Sequence, residues 1–187
     1  MRLPLLLAVL ALPGAALAQD VPCGGDFRDF IEGLREEAVS MGHDPAEVDR
    51  FLSGAEIDRK VLQRDRGQGI FQTPFIDFSR KLISQYRLDK GRELANRWDE
   101  VFDRIERDYG IARGVLLAFW AFETDYGAYQ GDFNTLDALV TLAHDCRRPE
   151  IFRPQIFAAL ELYEHGDFDP DRTTGAWAGE IGMVQML

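Results

Sequence analysis

The chain has 187 residues, 46% of them apolar, and a formal net charge of −11. This length suits one domain with a sizeable buried core. The acidic balance argues against nucleic acid as a partner, because a negative surface is repelled by phosphates. After the first residues, no segment is apolar for long enough to predict a membrane span.

The N-terminus has the three parts of a secretory signal peptide. Residues 1–2 form a short positively charged region, residues 3–12 are apolar, and residues 16–18 form a small-residue cleavage site. We therefore expect a signal peptide over residues 1–18, with a buried N-terminal helix as the alternative. We expect export to the periplasm, and no lipid anchor is indicated because the residue directly after the cleavage site is Gln19 and not a cysteine.

The two cysteines are Cys23 and Cys146. In an oxidising compartment we expect them to form one disulfide that ties the mature N-terminus to the domain. Two buried free thiols are the alternative. Neither cysteine has the spacing of a metal site.

Helix signals dominate the first half of the mature chain. Asp26 is a candidate cap for an amphipathic helix, and Asp44-Pro45 starts a second helix that ends near Gly54. Thr73-Pro74 opens another helix, whose shared apolar face is Phe75, Phe78, Leu82 and Tyr86.

A longer helix is predicted to begin at Asp89 and to end at Gly110. Apolar residues recur along it every three or four positions, and charged residues fill the opposite face. Further helices are predicted from Thr135, and from Pro149 or Pro154 to Tyr163. No strand pattern of convincing length occurs, so the fold class is predicted to be all-α.

Residues 115–122 are apolar on all sides, which predicts a helix buried on every side. Glu123 follows directly at its carboxyl end. Burial and the negative end of the helix dipole would both raise the pKa of this carboxyl group. Glu123 is therefore a candidate general acid that could later act as a base. A buried Glu paired with an internal partner is the alternative.

Other chemical motifs are missing from the sequence. The three histidines, at positions 43, 144 and 165, do not have metal-ligand spacing. Asp167, Asp169 and Asp171 alternate but lack the glycine and glutamate of a calcium loop, which predicts a solvated loop. We therefore expect no metal site.

The residues around Glu123 resemble the lytic murein transglycosylase B family, which is glycoside hydrolase family 103. The matching segments run in the family's order over most of the mature chain. They are residues 77–79, 87–91, 119–127 and 134–143, the pair Arg147-Arg148, and residues 175–179 with Gly182 and Gln185.

This resemblance implies a lysozyme-like α domain over residues 19–187 that binds peptidoglycan glycan strands. It implies cleavage of the β-1,4 bond between N-acetylmuramic acid and N-acetylglucosamine, with a 1,6-anhydro product. Glu123 would be the catalytic acid and base. Ordinary glycosidases need two carboxylates, whereas here the substrate supplies the nucleophile.

The resemblance also assigns substrate-binding roles. Gln185 would hydrogen-bond the sugar, with a solvent-facing residue as the alternative. Arg147 and Arg148 would contact the glycan or its peptide stem, or else be surface charges. Tyr126 would be a cleft wall or part of the core. Ala176 stands where many relatives have Ser, which removes one expected hydrogen bond to the acid.

The family's chain continues beyond the position of Leu187, in some members with a calcium-binding loop. We therefore expect a chain truncated at the C-terminus, with part of the cleft missing and no cofactor. The expected chain is a monomer, with cell-wall synthesis or division proteins as possible partners. A non-catalytic peptidoglycan-binding or scaffold module, a hydrolytic muramidase and an inactive fragment are the alternatives.

Overall fold

A computed structural model describes residues 21–67 and 73–187, and the predicted signal peptide at residues 1–18 lies outside them. Within these ranges the chain forms nine helices and two very short strands. They are α1 Phe27–Met41, α2 Pro45–Leu52, α3 Arg59–Arg66, α4 Phe75–Leu82, α5 Gln85–Arg97, α6 Asp99–Tyr109, α7 Arg113–Thr124, β1 Phe133–Asn134, α8 Thr135–His144, α9 Pro149–Glu164 and β2 Thr174–Gly175. The all-α prediction is confirmed.

Two helix starts follow from the caps seen in the sequence. The Asp26 carboxylate accepts hydrogen bonds from the backbone N–H groups of Arg28 and Asp29, at 2.9 and 3.3 Å. The Asp44 side chain caps α2 in the same way, with Pro45 in the first turn. Both caps satisfy N–H groups that have no partner inside the helix.

The long helix predicted from Asp89 to Gly110 is two helices, and this prediction is wrong. Ser84 caps α5, and the chain bends at Trp98 before α6 begins. The predicted stop at Gly110 is confirmed, because that glycine closes α6 in the left-handed region with φ 70°. The apolar spacing continues across Trp98, so periodicity alone does not reveal the bend.

The centre of the core is α8. It packs against α9 and α3, while α1 and α2 pack on each other and α2 also contacts α9. Eight residues of α8 are buried, namely every position from Thr135 to Ala143 except Asp137. This helix, and not α7, is the one surrounded by its neighbours.

The prediction that α7 is buried on every side is wrong. Ala121 and Thr124 are buried, but Val115, Phe119 and Phe122 are exposed. Its main contacts are with α5 and α6, which also touch each other. The apolar composition of a helix shows that its side chains have a low affinity for water. It does not show how many other elements will pack against that helix.

Cys23 and Cys146 form a disulfide with a Cα–Cα distance of 5.2 Å. Next to it, the Gly24 N–H donates to the His144 carbonyl at 2.8 Å. The buried Arg153 guanidinium donates to the Pro22 carbonyl at 3.2 Å. The start of the described chain is therefore fixed to the end of α8 and to α9.

Strands β1 and β2 pair antiparallel and bring Thr174 and Gly175 next to the start of α8. Two-residue strands are too short to show an alternating pattern, which is why the sequence does not predict them. Gly131 is required here because a Cβ at this position would lie 1.9 Å from the Gly175 carbonyl oxygen. Among the described helices, none has the length and apolar character needed to cross a bilayer.

Candidate functional site

Glu123 is the penultimate residue of α7, and its side chain is exposed. The predicted burial of this carboxyl group is therefore wrong. Glu123 shares the outer face of α7 with Phe119, one turn earlier, whose exposed fraction is 56%. The carboxyl group thus stands at the edge of an exposed aromatic surface, where a ligand can approach it.

The chain reverses immediately after Glu123. Asp125, Tyr126 and Gly127 all have positive φ values, of 52°, 61° and 86°. The Asp125 and Tyr126 N–H groups close the helix end by donating to the carbonyls of Ala121 and Trp120. Two consecutive non-glycine residues in the left-handed region cost roughly 1–3 kcal/mol each, so the surrounding contacts must hold this turn in place.

Helix α5 supplies one set of those contacts. Arg87 Nε donates to Asp125 Oδ1 at 2.9 Å, and the Arg87 guanidinium also donates to the Leu82 carbonyl at 3.0 Å. The Tyr126 hydroxyl donates to the Arg87 carbonyl at 2.7 Å. Burial raises the pKa of the Tyr126 phenol above its ordinary value, so the hydroxyl keeps the proton that it donates.

Tyr126 lines a cavity of about 300 Å³ together with residues of α5 and α7. Its hydroxyl group is held by the bond to the Arg87 carbonyl. Gly91 makes room for it, because a Cβ at position 91 would lie 2.6 Å from the Tyr126 hydroxyl oxygen. The sequence offered two roles for Tyr126, a cleft wall or part of the core; in the structure the residue is half-buried, lines this cavity and supports the turn.

The other side of the turn contacts residues 181–186, which we call the closing hairpin. Ile181 and Met186 exchange backbone hydrogen bonds of 2.9 and 3.1 Å. Gln185 Nε2 donates to the Gln130 carbonyl at 3.2 Å and to the Gly182 carbonyl at 3.0 Å. The Gln185 side chain therefore lies beside Gln130, three residues after the turn that follows Glu123.

Arg147 and Arg148 are placed differently. Both guanidinium groups pair with the Asp65 carboxylate of α3, which is 1% exposed. Arg147 also donates to the Asp65 carbonyl at 2.7 Å. The two arginines hold α3 against the loop between α8 and α9. The Arg147 side chain remains 50% exposed, so it still presents charge to solvent.

Four residues of this arrangement were not singled out by sequence reasoning: Asp65, Arg87, Thr124 and Asp125. Their partners lie far away in sequence, for example 38 residues apart for Arg87 and Asp125. Arg87 and Asp125 stood inside segments that matched the family, but nothing in the sequence paired them. Helix α3, which carries Asp65, was not predicted because it has little apolar periodicity.

No group of three or more potential metal-ligating side chains occurs within residues 21–67 and 73–187. In the acidic loop, the Asp169 carboxylate accepts a hydrogen bond from the Asp171 backbone N–H at 3.0 Å. His43 Nδ1 lies 3.0 Å from the Glu164 carboxylate, which joins the ends of α1 and α9. These polar groups are bonded to other groups of the protein.

The fold and the glutamate at the end of α7 define a helical domain of the lysozyme-like class. Residues 26–187 match the Transglycosylase SLT domain family. The chain belongs to this family, and the predicted resemblance is confirmed.

Relatives of known structure support the same assignment. SltB3 from Pseudomonas aeruginosa, solved with NAG-NAM-pentapeptide, superposes with a TM-score of 0.80 at 29% identity, over 88% of this chain and 44% of that chain. Slt35 from Escherichia coli, solved with bulgecin A, gives a TM-score of 0.76 at 24% identity, over 89% of this chain and 55% of that chain. The latter likeness shows the fold alone.

A curated relative, the membrane-bound lytic murein transglycosylase B of Escherichia coli strain K12, is 25% identical over 88% of this chain and 49% of its own length. The chain thus spans about half the length of the curated relative that it matches.

Proposed function

We propose that the protein is a lytic transglycosylase that cleaves the β-1,4 bond between N-acetylmuramic acid and N-acetylglucosamine in peptidoglycan. The observation that carries the proposal is the state of the two carboxylates at the end of α7. Glu123 is exposed, whereas Asp125 is bound to Arg87. One free carboxyl group suits a reaction in which the substrate provides its own nucleophile, since ordinary glycosidases need two.

In the proposed reaction, Glu123 first gives its proton to the bridging oxygen as the bond from that oxygen to C1 of the muramyl sugar breaks. The N-acetyl group of the substrate stabilises the cationic carbon. The C6 hydroxyl then attacks C1, and the Glu123 carboxylate takes the hydroxyl proton. The carboxyl group is restored, a 1,6-anhydro ring has formed, and no water has been consumed.

A glycan bound over α7 would also remove water from Glu123. The exposed Phe119 and Phe122 beside Glu123 offer an apolar surface of the kind that lines ligand sites. The substrate thereby supplies the burial that the free protein does not have.

The proposed substrate-binding roles rest on the polar groups of these side chains that are available to a ligand. Both hydrogen bonds made by the Gln185 side chain use its amide nitrogen, so its carbonyl oxygen is the group offered to a sugar. The half-exposed Arg147 faces the glycan or its peptide stem, while Arg148 mainly holds Asp65. Tyr126 shapes the turn beneath the sugar.

The proposed setting is the periplasm, reached by the signal peptide at residues 1–18. The proposed chemistry needs no cofactor, because one carboxyl group and a substrate hydroxyl carry all the proton transfers. We propose a monomer, whose partners beyond peptidoglycan strands would be cell-wall synthesis or division proteins.

The test is digestion of purified sacculi by the wild-type protein and by Glu123→Gln, with released muropeptides identified by mass spectrometry. We expect 1,6-anhydro products from the wild type and at least a thousandfold fewer from the variant. Glu106→Gln is the matched control, since it makes the same change at an exposed glutamate on α6.

Three outcomes contradict the proposal. Equal activity of wild type and Glu123→Gln would remove the assigned role of Glu123. Products heavier by one water would indicate a hydrolytic muramidase. Binding of sacculi without any cleavage would indicate a non-catalytic peptidoglycan-binding module or an inactive fragment.

A further inference from the structure

We propose that Thr124 is a positioning residue that sets the closing hairpin, and with it Gln185, in register with Glu123. The proposal rests on the proposed function for its catalytic consequence. Its structural part, the control of the closing hairpin by one hydroxyl group, can be tested without any activity.

Thr124 is the last residue of α7 and is 1% exposed. Its hydroxyl oxygen accepts a hydrogen bond from the Gly127 N–H at 2.9 Å. As a donor it lies 2.5 Å from the Met183 carbonyl oxygen and 3.3 Å from the Trp120 carbonyl oxygen. A hydroxyl has one proton to donate, and the shorter distance assigns that proton to Met183.

One buried hydroxyl therefore joins the tight turn after Glu123 to the tip of the closing hairpin. Met183 is the residue after Gly182, whose carbonyl accepts from the Gln185 side chain. The second connection between hairpin and turn is the Gln185 bond to the Gln130 carbonyl. Thr124 is therefore the connection between hairpin and turn that does not depend on the Gln185 side chain itself.

Loss of the hydroxyl would remove the hydrogen-bond partner that the Gly127 N–H and the Met183 carbonyl now share. Such groups recover their hydrogen bonds by moving towards water. For Met183 this movement would lift the closing hairpin away from α7. Small displacements of binding groups reduce rates strongly, because catalysis depends on the orientation of the sugar at the acid.

The first measurement is hydrogen exchange of the Ile181 and Met186 amides, which close the hairpin. Thr124→Val keeps the shape of the side chain and removes the hydroxyl, while Thr124→Ser keeps the hydroxyl. We expect exchange at both amides to quicken at least tenfold in Thr124→Val and to stay near wild type in Thr124→Ser. Amides of α8 serve as an internal control for global stability.

The second measurement is a double-mutant cycle on kcat/KM with Gln185→Ala. We expect Thr124→Val to lower kcat/KM at least tenfold when Gln185 is present and less than threefold when it is replaced. A general loss of stability would give the same factor in both backgrounds. Activity is assayed well below the melting temperature of each variant.

Unchanged exchange in Thr124→Val, or an equal loss in Thr124→Ser, would overturn the inference. Equal factors in the two Gln185 backgrounds would do the same. If the wild type cleaves no glycan while the exchange results are as expected, the proposed function fails but the control of the hairpin by Thr124 stands.

Discussion

Glu123 owes its accessibility to its place on α7. It lies on the outer face with Phe119, while Ala121 and Thr124 point to the interior. Thr124 can therefore be locked into the protein while the neighbouring carboxyl group stays free. Adjacent helical residues point about 100° apart, and this separation divides the two tasks, substrate contact and structural anchoring, between neighbours.

Glu123→Asp tests how exactly the carboxyl group must be placed. The shorter side chain keeps the charge and withdraws the acid by about one methylene length. A misplacement of about 1 Å can cost roughly a hundredfold in rate, so we expect a loss of that order in kcat. Turnover of a soluble glycan gives the measurement, and a rate within threefold of wild type would argue against positional control.

A second residue, Asp137, tests the electrostatics of the core. Burial raises its pKa above 3.8, although its carboxylate accepts a 2.7 Å hydrogen bond from the Glu56 N–H. A raised pKa means that the folded protein binds this proton more tightly than the unfolded chain does. The charged form therefore costs stability, increasingly as pH rises from the unfolded pKa through the folded pKa.

Asp137→Asn keeps an acceptor for the Glu56 N–H and removes the charge. We expect the variant to melt above the wild type at pH 7, with the difference shrinking as the pH falls towards 3. Thermal unfolding followed by circular dichroism across this range provides the check. A difference that grows on acidification would show that the carboxylate stabilises the fold.

At the scale of elements, helix caps were predictable and long-range pairs were not. Asp26, Asp44 and Gly110 act within a few residues of their own position, so the local sequence contains their signal. The bond from Thr124 to Met183 spans 59 residues, and that from Arg147 to Asp65 spans 82. A single sequence does not show which polar side chains form hydrogen bonds or ion pairs over such separations.

The same limit explains what was missed at the site. The apolar run before Glu123 correctly located the helix end, because the position of Glu123 is a local property. Its exposure depends on which elements cover α7, and this was predicted wrongly. The sugar-binding role of Gln185 stays a prediction, and the shared partner of Arg147 and Arg148 was not foreseen.

The packing of α5 on the turn after α7 is testable at Gly91. In Gly91→Ala the new methyl group would meet the Tyr126 hydroxyl, so the bond to the Arg87 carbonyl must give way. We expect a destabilisation of about 1–3 kcal/mol from overpacking, together with lower activity. Chemical denaturation measures the former and glycan turnover the latter.

Gly33→Ala is the matched control for this prediction. Gly33 lies inside α1, and a Cβ there meets nothing within 4 Å. Helix propensity predicts a gain of about 0.5–1 kcal/mol and unchanged activity. If both variants behaved alike, the close contact between Gly91 and Tyr126 would have no energetic role.

At the scale of the whole molecule, the Cys23–Cys146 bond links positions 123 residues apart. A cross-link over so long a loop restricts the unfolded chain strongly, and its removal costs about 2–5 kcal/mol. We expect the Cys23→Ala/Cys146→Ala variant to lose stability by this amount in denaturant unfolding. The melting temperature of the wild type should fall on reduction, and that of the double variant should not respond to reductant.

The chemical claim about the whole molecule is that bond cleavage consumes no water. Digestion of peptidoglycan by the wild-type protein in ¹⁸O-labelled water, followed by mass spectrometry of the new muramyl ends, tests it most directly. The proposed reaction gives unlabelled 1,6-anhydro ends with the wild type, and no such ends with Glu123→Gln. Incorporation of one ¹⁸O at each new end would show hydrolysis and contradict it.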